Sequence, residues 1–310
     1  MKRKYFIQKS LTAGALLAAS SFPYQALAKS GLRKVTILHT NDQHSRIEAF
    51  PMDGGKYQGL GGFAQRATLI SQIRKQEKNV LLLDSGDIWQ GTPYFNKFHG
   101  EIEFKLMSEM NYQASTLGNH DFDIGIDGFV KQLPLANFPF LNCNYDFTDT
   151  AMQGKVAPYK IFKYDGIKIG VLGVGIELEG LVPKDLYGNI KYNNPIEKAE
   201  NVAKKMKLEH DCDLVICLSH LGYKYDEKKV CDIDLATQSS HIDLILGGHT
   251  HTFFDKPVEL ANAAGARVLI NQVGWAGIFL GRLDFYFEEK KKGILVADVP
   301  HLISEKLITE

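Results

Sequence analysis

Residues 35–44 read VTILHTNDQH, and this stretch determines how the rest of the chain is interpreted. Its first half is a run of β-branched and leucine residues that is typical of a buried strand, and its second half is polar. Asp42 and His44 therefore stand directly after a predicted strand. In open α/β sheets, ligand-binding side chains gather beyond the ends of strands. We therefore expect a functional site to begin here.

The same arrangement recurs four more times along the chain. Polar segments follow apolar runs at residues 86–87 (GD), 118–123 (GNHDFD), 219–220 (SH) and 247–251 (GGHTH). A single histidine at a strand end is more often structural than functional. Five such segments in succession, each carrying oxygen or nitrogen donors, instead indicate one shared site.

The residue types in these segments indicate which metals the site would hold. They supply carboxylate, amide and imidazole groups and no thiolate, from Asp42, His44, Asp87, Asn119, His220, His249 and His251. This donor set suits divalent Mn, Zn, Fe, Co or Mg and not a cysteine-based structural zinc site. Two divalent ions facing two carboxylates keep a net positive charge, which attracts a phosphate anion. We therefore predict two divalent metal ions as cofactors.

Strands and helices alternate over most of the chain. Apolar runs predict strands at residues 35–39, 79–83, 114–117, 138–142, 167–174, 213–218 and 242–246, and helical spacing of apolar residues predicts helices at 62–75, 101–110, 127–133 and 195–209. Nearly continuous apolar strands indicate an α/β domain whose sheet is covered on both faces. Runs at 257–260, 267–271, 279–288 and 294–299 predict antiparallel hairpins that form a second sheet.

Composition excludes several classes of protein. The 310 residues are 45% hydrophobic and 23% charged, which is typical of a soluble globular protein and not of a disordered or disulfide-scaffold chain. Lys plus Arg and Asp plus Glu both number 36, so the net charge of zero argues against nucleic-acid binding through a basic surface. The four cysteines form no C-x-x-C pair, and Cys143 and Cys217 lie in apolar runs, as buried thiols do. An oxidising compartment would allow a disulfide between Cys212 and Cys231, but the sequence does not require one.

The first 28 residues have the pattern of a secretory signal. Three basic residues at 2–4 precede the short apolar run at 11–19, and an A-x-A pattern closes the segment at Ala28. Residues 3–7 (RKYFI) also resemble a twin-arginine signal with Lys in place of the second Arg. The apolar run is too short to span a bilayer. We expect export to the periplasm or the cell exterior, one mature domain at residues 29–310, and no stable membrane insertion.

The order D-x-H, G-D, G-N-H-[DE], H and G-H-x-H resembles the calcineurin-like metallophosphoesterases. Within them, residues 35–44, 86–93 (GDIWQGTP) and 112–123 (YQASTLGNHDFD) resemble motifs of the catalytic N-terminal domain of the 5′-nucleotidase family. The likeness covers roughly residues 33–287. It implies an αββα sandwich of two mixed β-sheets flanked by helices, and hydrolysis of 5′-nucleotides or related phosphomonoesters.

The resemblance also implies a role for each residue. One metal would be held by Asp42, His44, Asp87 and His251, and the other by Asp87, Asn119, His220 and His249. His120, together with Asn119, would contact the substrate, and Asp123 would orient the His120 ring. His120 and Asp123 would thus be the catalytic residues beside the metals.

Two departures from the family keep alternatives open. The family usually has Glu where this chain has Asp121, a change that keeps the charge. The two-domain nucleotidases also continue beyond the position of Glu310, so we expect no C-terminal nucleotide-recognition domain here. One alternative is a catalytic subunit that needs a separate chain resembling that domain. Another is a phosphodiesterase acting on cyclic nucleotides or nucleotide sugars. Aromatic residues such as Trp89, Phe253 and Trp275 are expected to be core or rim residues.

Overall fold

A computed structural model describes residues 32–288, 291–298 and 301–303, so the predicted signal segment at residues 1–28 lies outside the described residues. The strands are β1 (Leu32–Thr40), β2 (Val80–Asp84), β3 (Ala114–Ser115), β4 (Tyr145–Asp146), β5 (Tyr159–Tyr164), β6 (Ile167–Gly175), β7 (Lys191–Tyr192), β8 (Leu214–His220), β9 (Leu244–Leu246), β10 (Val258–Ala261), β11 (Arg267–Asn271), β12 (Phe279–Glu288), β13 (Lys291–Asp298) and β14 (His301–Leu302). The α-helices are α1 (Phe63–Gln76), α2 (Pro93–Phe98), α3 (Glu101–Glu109), α4 (Gly125–Gln132), α5 (Lys184–Tyr187), α6 (Pro195–Leu208) and α7 (Asp232–Gln238), and 3₁₀ turns cover His120–Phe122 and Leu133–Leu135.

Two mixed sheets form the centre of the described structure. The first has the order β13-β12-β1-β2-β3, with β14 also paired to β12, and the second has the order β10-β11-β9-β8-β6-β5. Strands β1, β2 and β3 run parallel, as do β6, β8 and β9. The carboxyl ends of β1, β2, β3, β8 and β9 carry the polar segments singled out in the sequence.

The alternation of side chains along each strand explains the layers. Val35 and Ile37 on β1 pack in the same cluster as Ile169 on β6, so this cluster lies between the two sheets. The opposite face of the first sheet packs with α1 and α3, and that of the second sheet packs with α6 and α7. The expected αββα sandwich of two mixed sheets is therefore confirmed. None of the described helices has the length and apolar character that spanning a bilayer requires.

Two local predictions differ from the structure. The C-terminal hairpins do not build a sheet of their own, because β12 pairs with β1 while β11 pairs with β9, so each hairpin extends one of the two central sheets. Residues 138–142 form isolated bridges at Phe140 and Leu141 instead of a strand. Pro139 cannot donate a ladder hydrogen bond, which limits pairing at this edge of the sheet.

Candidate active site

Strand ends bring the predicted site residues together. Asp42 and His44 follow β1, Asp87 follows β2, and Asn119 and His120 follow β3 in the first sheet. His220 is the last residue of β8 in the second sheet, and His249 and His251 follow β9. The site thus lies at the common edge of both sheets.

Asp42, His44 and His251 form one group of possible metal-binding atoms. The Nε2 atom of His251 lies 3.0 Å from Nε2 of His44 and 3.3 Å from Oδ1 of Asp42. All three donor atoms lie within 4.8 Å of one another. Ligand atoms about 2.0–2.2 Å from one ion have spacings of this order, so the group can hold one cation.

Asp87, His220 and His249 form the second group, with the same 4.8 Å limit. The Oδ2 atom of Asp87 lies 3.1 Å from Nε2 of His220 and 4.0 Å from Nε2 of His44, which places this carboxylate between the two groups. The Oδ1 atom of Asn119 lies 2.8 Å from Nδ1 of His249. All seven predicted ligands therefore converge on one place.

The ring of His220 tests whether a metal fits. Its Nδ1 lies 2.7 Å from the backbone oxygen of Ser85, so Nδ1 donates and Nε2 is the ring atom left to meet a proton or a metal. That Nε2 atom is buried and makes no hydrogen bond among the described residues, although Oδ2 of Asp87 lies 3.1 Å from it as an ion-pair contact. A buried nitrogen without a partner is costly unless something binds it. A divalent cation at this position would satisfy both His220 and Asp87.

The protein backbone is strained at the same residues. Asp42, His44, Asp87, His249 and His251 all have positive φ, between 47° and 68°. Such conformations cost of order 1–3 kcal/mol each and persist only where the surroundings impose them. Here the imposing contacts include the backbone N–H of Asp42, which donates to the oxygen of Gly86.

Glycine is needed where the chain passes closest to the ligands. A Cβ at Gly118 would lie 2.1 Å from Oδ1 of Asp87, and a Cβ at Gly248 would lie 2.9 Å from Nδ1 of His220. Any larger residue would displace a predicted ligand. The glycines in the sequence motifs therefore allow the ligand-bearing loops to approach one another.

Comparison with known proteins agrees with this geometry. Residues 35–253 match the Calcineurin-like phosphoesterase family. The chain belongs to that family. Its members use a binuclear metal centre, for which the two donor groups described above are the candidate sites.

The chain is also similar to snake venom 5′-nucleotidase from Crotalus adamanteus, with 32% identity over 298 residues that cover 90% of this chain and 49% of that protein. It shares 36% identity over 259 residues with the 5′-nucleotidase of Vibrio cholerae, covering 79% of this chain and 46% of that protein.

Solved structures of calcineurin-like phosphoesterases share the fold. A 5′-nucleotidase precursor from Thermus thermophilus superposes with a TM-score of 0.77 at 28% identity, covering 89% of this chain and 55% of that one. The phosphoesterase YfkN from Bacillus subtilis gives a TM-score of 0.70 at 26% identity, covering 90% of this chain and 95% of that one. The chain spans about half the length of the curated relatives it matches.

His120 and Asp123 lie beside the metal-binding groups. His120 lines a cavity of about 290 Å³ together with His44, Asp87, Asn119 and His251. Its Nδ1 lies 2.9 Å from Oδ2 of Asp123. This hydrogen bond raises the pKa of His120, although partial burial acts in the opposite direction. The carboxylate therefore favours a protonated His120 ring. Because Asp123 contacts Nδ1, the Nε2 atom is left to contact other groups.

Charges within this calcineurin-like site are strongly coupled. Burial acts to lower the pKa of His220, but the neighbouring Asp87 and Asp42 carboxylates raise it to about 10. A proton on His220 therefore occupies the same region of negative potential that a metal cation would occupy. Burial, reinforced by the nearby His220 ring, lowers the pKa of His249 to about 4, so that His249 is neutral at pH 7 and has a lone pair to offer.

Two buried carboxylates that the sequence motifs left without a role hold the ligand loops. Oxygen atoms of Asp121 accept hydrogen bonds from the backbone N–H groups of Asp87, Ile88 and Gly118, at 2.8–3.0 Å. Asp84 similarly accepts from Thr40 Oγ1, Gln43 Nε2, Gly86 N and Ser115 Oγ, and therefore joins the ends of the three parallel strands. Asp121 is the last residue of the G-N-H-[DE] motif and Asp84 ends an apolar run, but neither position by itself indicates these contacts.

We predict that Asp121→Asn weakens both the fold and metal binding. An amide has a single acceptor oxygen, so at least one of the three N–H groups would lose its partner, at a cost of about 1–3 kcal/mol. The melting temperature should fall, and so should the metal content per chain, which is measured by mass spectrometry. Asp127→Asn, at an exposed carboxylate in α4, is the control. If Asp121→Asn keeps the wild-type melting temperature and metal content, this carboxylate does not hold the loops.

Proposed function

We propose that the chain is a metal-dependent phosphoesterase that hydrolyses 5′-nucleotides or related small phosphomonoesters. The observation that carries this proposal is the joining of two metal-binding groups by one carboxylate, beside a histidine paired with an aspartate, in a single cavity. Two-metal sites of this composition are typical of enzymes that cleave phosphate esters. The named activity of the nucleotidase relatives supports the same substrate class.

Each ligand has an assigned place in this proposal. Asp42, His44 and His251 would hold one divalent ion, Asn119, His220 and His249 would hold the other, and Asp87 would contribute its carboxylate to both groups. When bound, the ions neutralise charge on the phosphate and lower the pKa of water. Mn, Zn, Co, Fe and Mg all suit the oxygen and nitrogen donors.

His120 is the proposed proton donor. Its Nδ1–H donates to Asp123, so Nε2 is the ring nitrogen left to contact the substrate. A protonated Nε2 can donate to an equatorial phosphoryl oxygen or to the departing alkoxide. The Asn119 amide lines the same cavity and can donate to the phosphate. His120 and Asn119 therefore bind and orient the substrate, and His120 also moves a proton.

A phosphate-release assay tests this function. Nucleoside 5′-monophosphates, other phosphomonoesters, cyclic nucleotides and nucleotide sugars are offered to the protein after chelation and after separate addition of Mn, Zn, Co and Mg. We expect release from 5′-monophosphates that is lost on chelation and restored by metal. Cleavage confined to cyclic nucleotides or nucleotide sugars would contradict the phosphomonoesterase assignment, and metal-independent release would contradict the metal mechanism.

The variant His120→Ala serves as the internal control of the same assay. We expect turnover to fall by about 10²–10⁴-fold, the usual contribution of general acid–base assistance. Metal content should stay at the wild-type value, because His120 is not assigned as a ligand. A loss of metal together with activity would show that this role is wrong.

We also propose that residues 1–28 direct export and are removed. The support is the sequence pattern of a basic start, a short apolar run and an A-x-A ending. On expression of the full chain in a bacterial host, intact mass and N-terminal sequencing should place the mature start at Lys29. Ala28→Arg should leave the segment attached, because the cleavage site needs a small residue there. Recovery of uncleaved wild-type protein from the cytosol would contradict the proposal.

A further inference from the structure

We propose that an aromatic surface beside the metal cavity binds a planar ring in the leaving group of the substrate. This surface, called the aromatic wall here, consists of Phe50, Tyr57, Phe253 and Trp275. The proposal rests on the proposed phosphoesterase function and adds a specificity site to it. A planar heterocyclic base is the ring class that such a wall would take.

Trp275 connects the wall to the metal cavity. Its ring lies parallel to the ring of His251, with centroids 5.6 Å apart and an angle of 6° between the planes. The edge of His44 also approaches it, with centroids 6.4 Å apart. Trp275 lines the cavity that contains Asn119 and His120. The wall therefore begins at the proposed phosphate position.

The remaining rings continue outward from Trp275. Phe50 and Tyr57 approach Trp275 in edge-to-face geometry, with centroids 5.8 and 6.3 Å apart. Tyr57 in turn lies nearly parallel to Phe253, at 6.4 Å and 22°. These four rings come from two segments far apart in the chain, residues 50–57 and 253–275. A leaving group that extends from the cavity over Trp275 would meet Tyr57 and Phe253 next.

Exposure distinguishes the wall from the aromatic core. Trp89, which follows Asp87 in the sequence, is fully buried and stacks on Phe104. Phe253, by contrast, is 41% exposed, and Tyr57 and Trp275 are half-buried. Large aromatic side chains left partly open beside a polar cavity are typical of ligand-binding surfaces.

The wall is also held rigid. The loop that carries Tyr57 is closed at its base, because the N–H of Phe50 donates to the oxygen of Leu60 and the N–H of Gly59 donates to the oxygen of Phe50. Phe253 lies against Gly274, where a Cβ would come within 2.1 Å of its ring. Gly274, with φ of 74°, therefore leaves room for Phe253 directly beside Trp275. Pre-formed rings lose little entropy on binding.

Substrates that differ only in the base give a direct test. Adenosine 5′-monophosphate and ribose 5-phosphate share the phosphate and the primary alcohol that leaves, so ring stacking is the main difference between them. Stacking of a base on an aromatic side chain changes affinity by about 5- to 150-fold. We expect kcat/KM to favour the nucleotide by about tenfold or more in the wild type.

The variants Tyr57→Ala and Phe253→Ala should reduce that preference at least about fivefold while leaving ribose 5-phosphate hydrolysis unchanged. Neither residue is assigned to metal binding or catalysis. Phe254→Ala is the matched control, because the ring of Phe254 packs instead against Tyr223, at 4.8 Å and 84°. Circular dichroism checks that every variant is folded. Equal rates for both substrates in the wild type, or a preference that survives both substitutions, would overturn the proposal.

Tryptophan fluorescence separates this proposal from the proposed function. Trp89 and Trp275 are the two tryptophans of the chain, and Trp89 is fully buried. Adenosine, but not ribose, should quench the emission in a saturable manner, and Trp275→Phe should abolish the change. Failure to release phosphate from either substrate would refute the enzyme function, whereas absence of quenching would refute the wall.

Discussion

Mutual repulsion among electron-rich atoms is the constraint on which the site depends. Two carboxylates and four imidazole rings present their donor atoms in two adjoining groups, each within 4.8 Å, and several of these side chains are buried. Such a cluster is unfavourable unless protons or metal cations occupy it. The strained backbone of Asp42, His44, Asp87, His249 and His251 is of the kind that clusters at binding and active sites.

The fold contributes the restraint that this cluster needs. Two sheets packed through an apolar layer place the ends of β1, β2, β3, β8 and β9 at one edge, and buried Asp84 and Asp121 tie the loops that follow the first three strands. The same edge carries the aromatic wall, because the segments after β9 and β11 lead directly into Phe253 and Trp275. Ion binding and ring binding would thus share one scaffold.

Much of this arrangement could be predicted from the sequence. Strands β2, β11 and β12 and helices α1 and α6 were predicted nearly to their ends, because buried apolar runs and helical spacing are local signals. Helices α2 and α7 and strand β5 were missed, since short elements depend on tertiary contacts more than on pattern. The convergence of the seven ligand candidates followed from strand-end positions. The roles of Asp84 and Tyr57 could not be predicted in this way, because they depend on partners distant in sequence.

The most direct test of the metal pair is anomalous diffraction from crystals grown with Mn. We predict two peaks about 3.5–4 Å apart, the usual separation in two-metal sites. One should lie among Asp42, His44 and His251, and the other among Asn119, His220 and His249, with Asp87 between them. A single ion, or ions bound at other residues, would contradict the account.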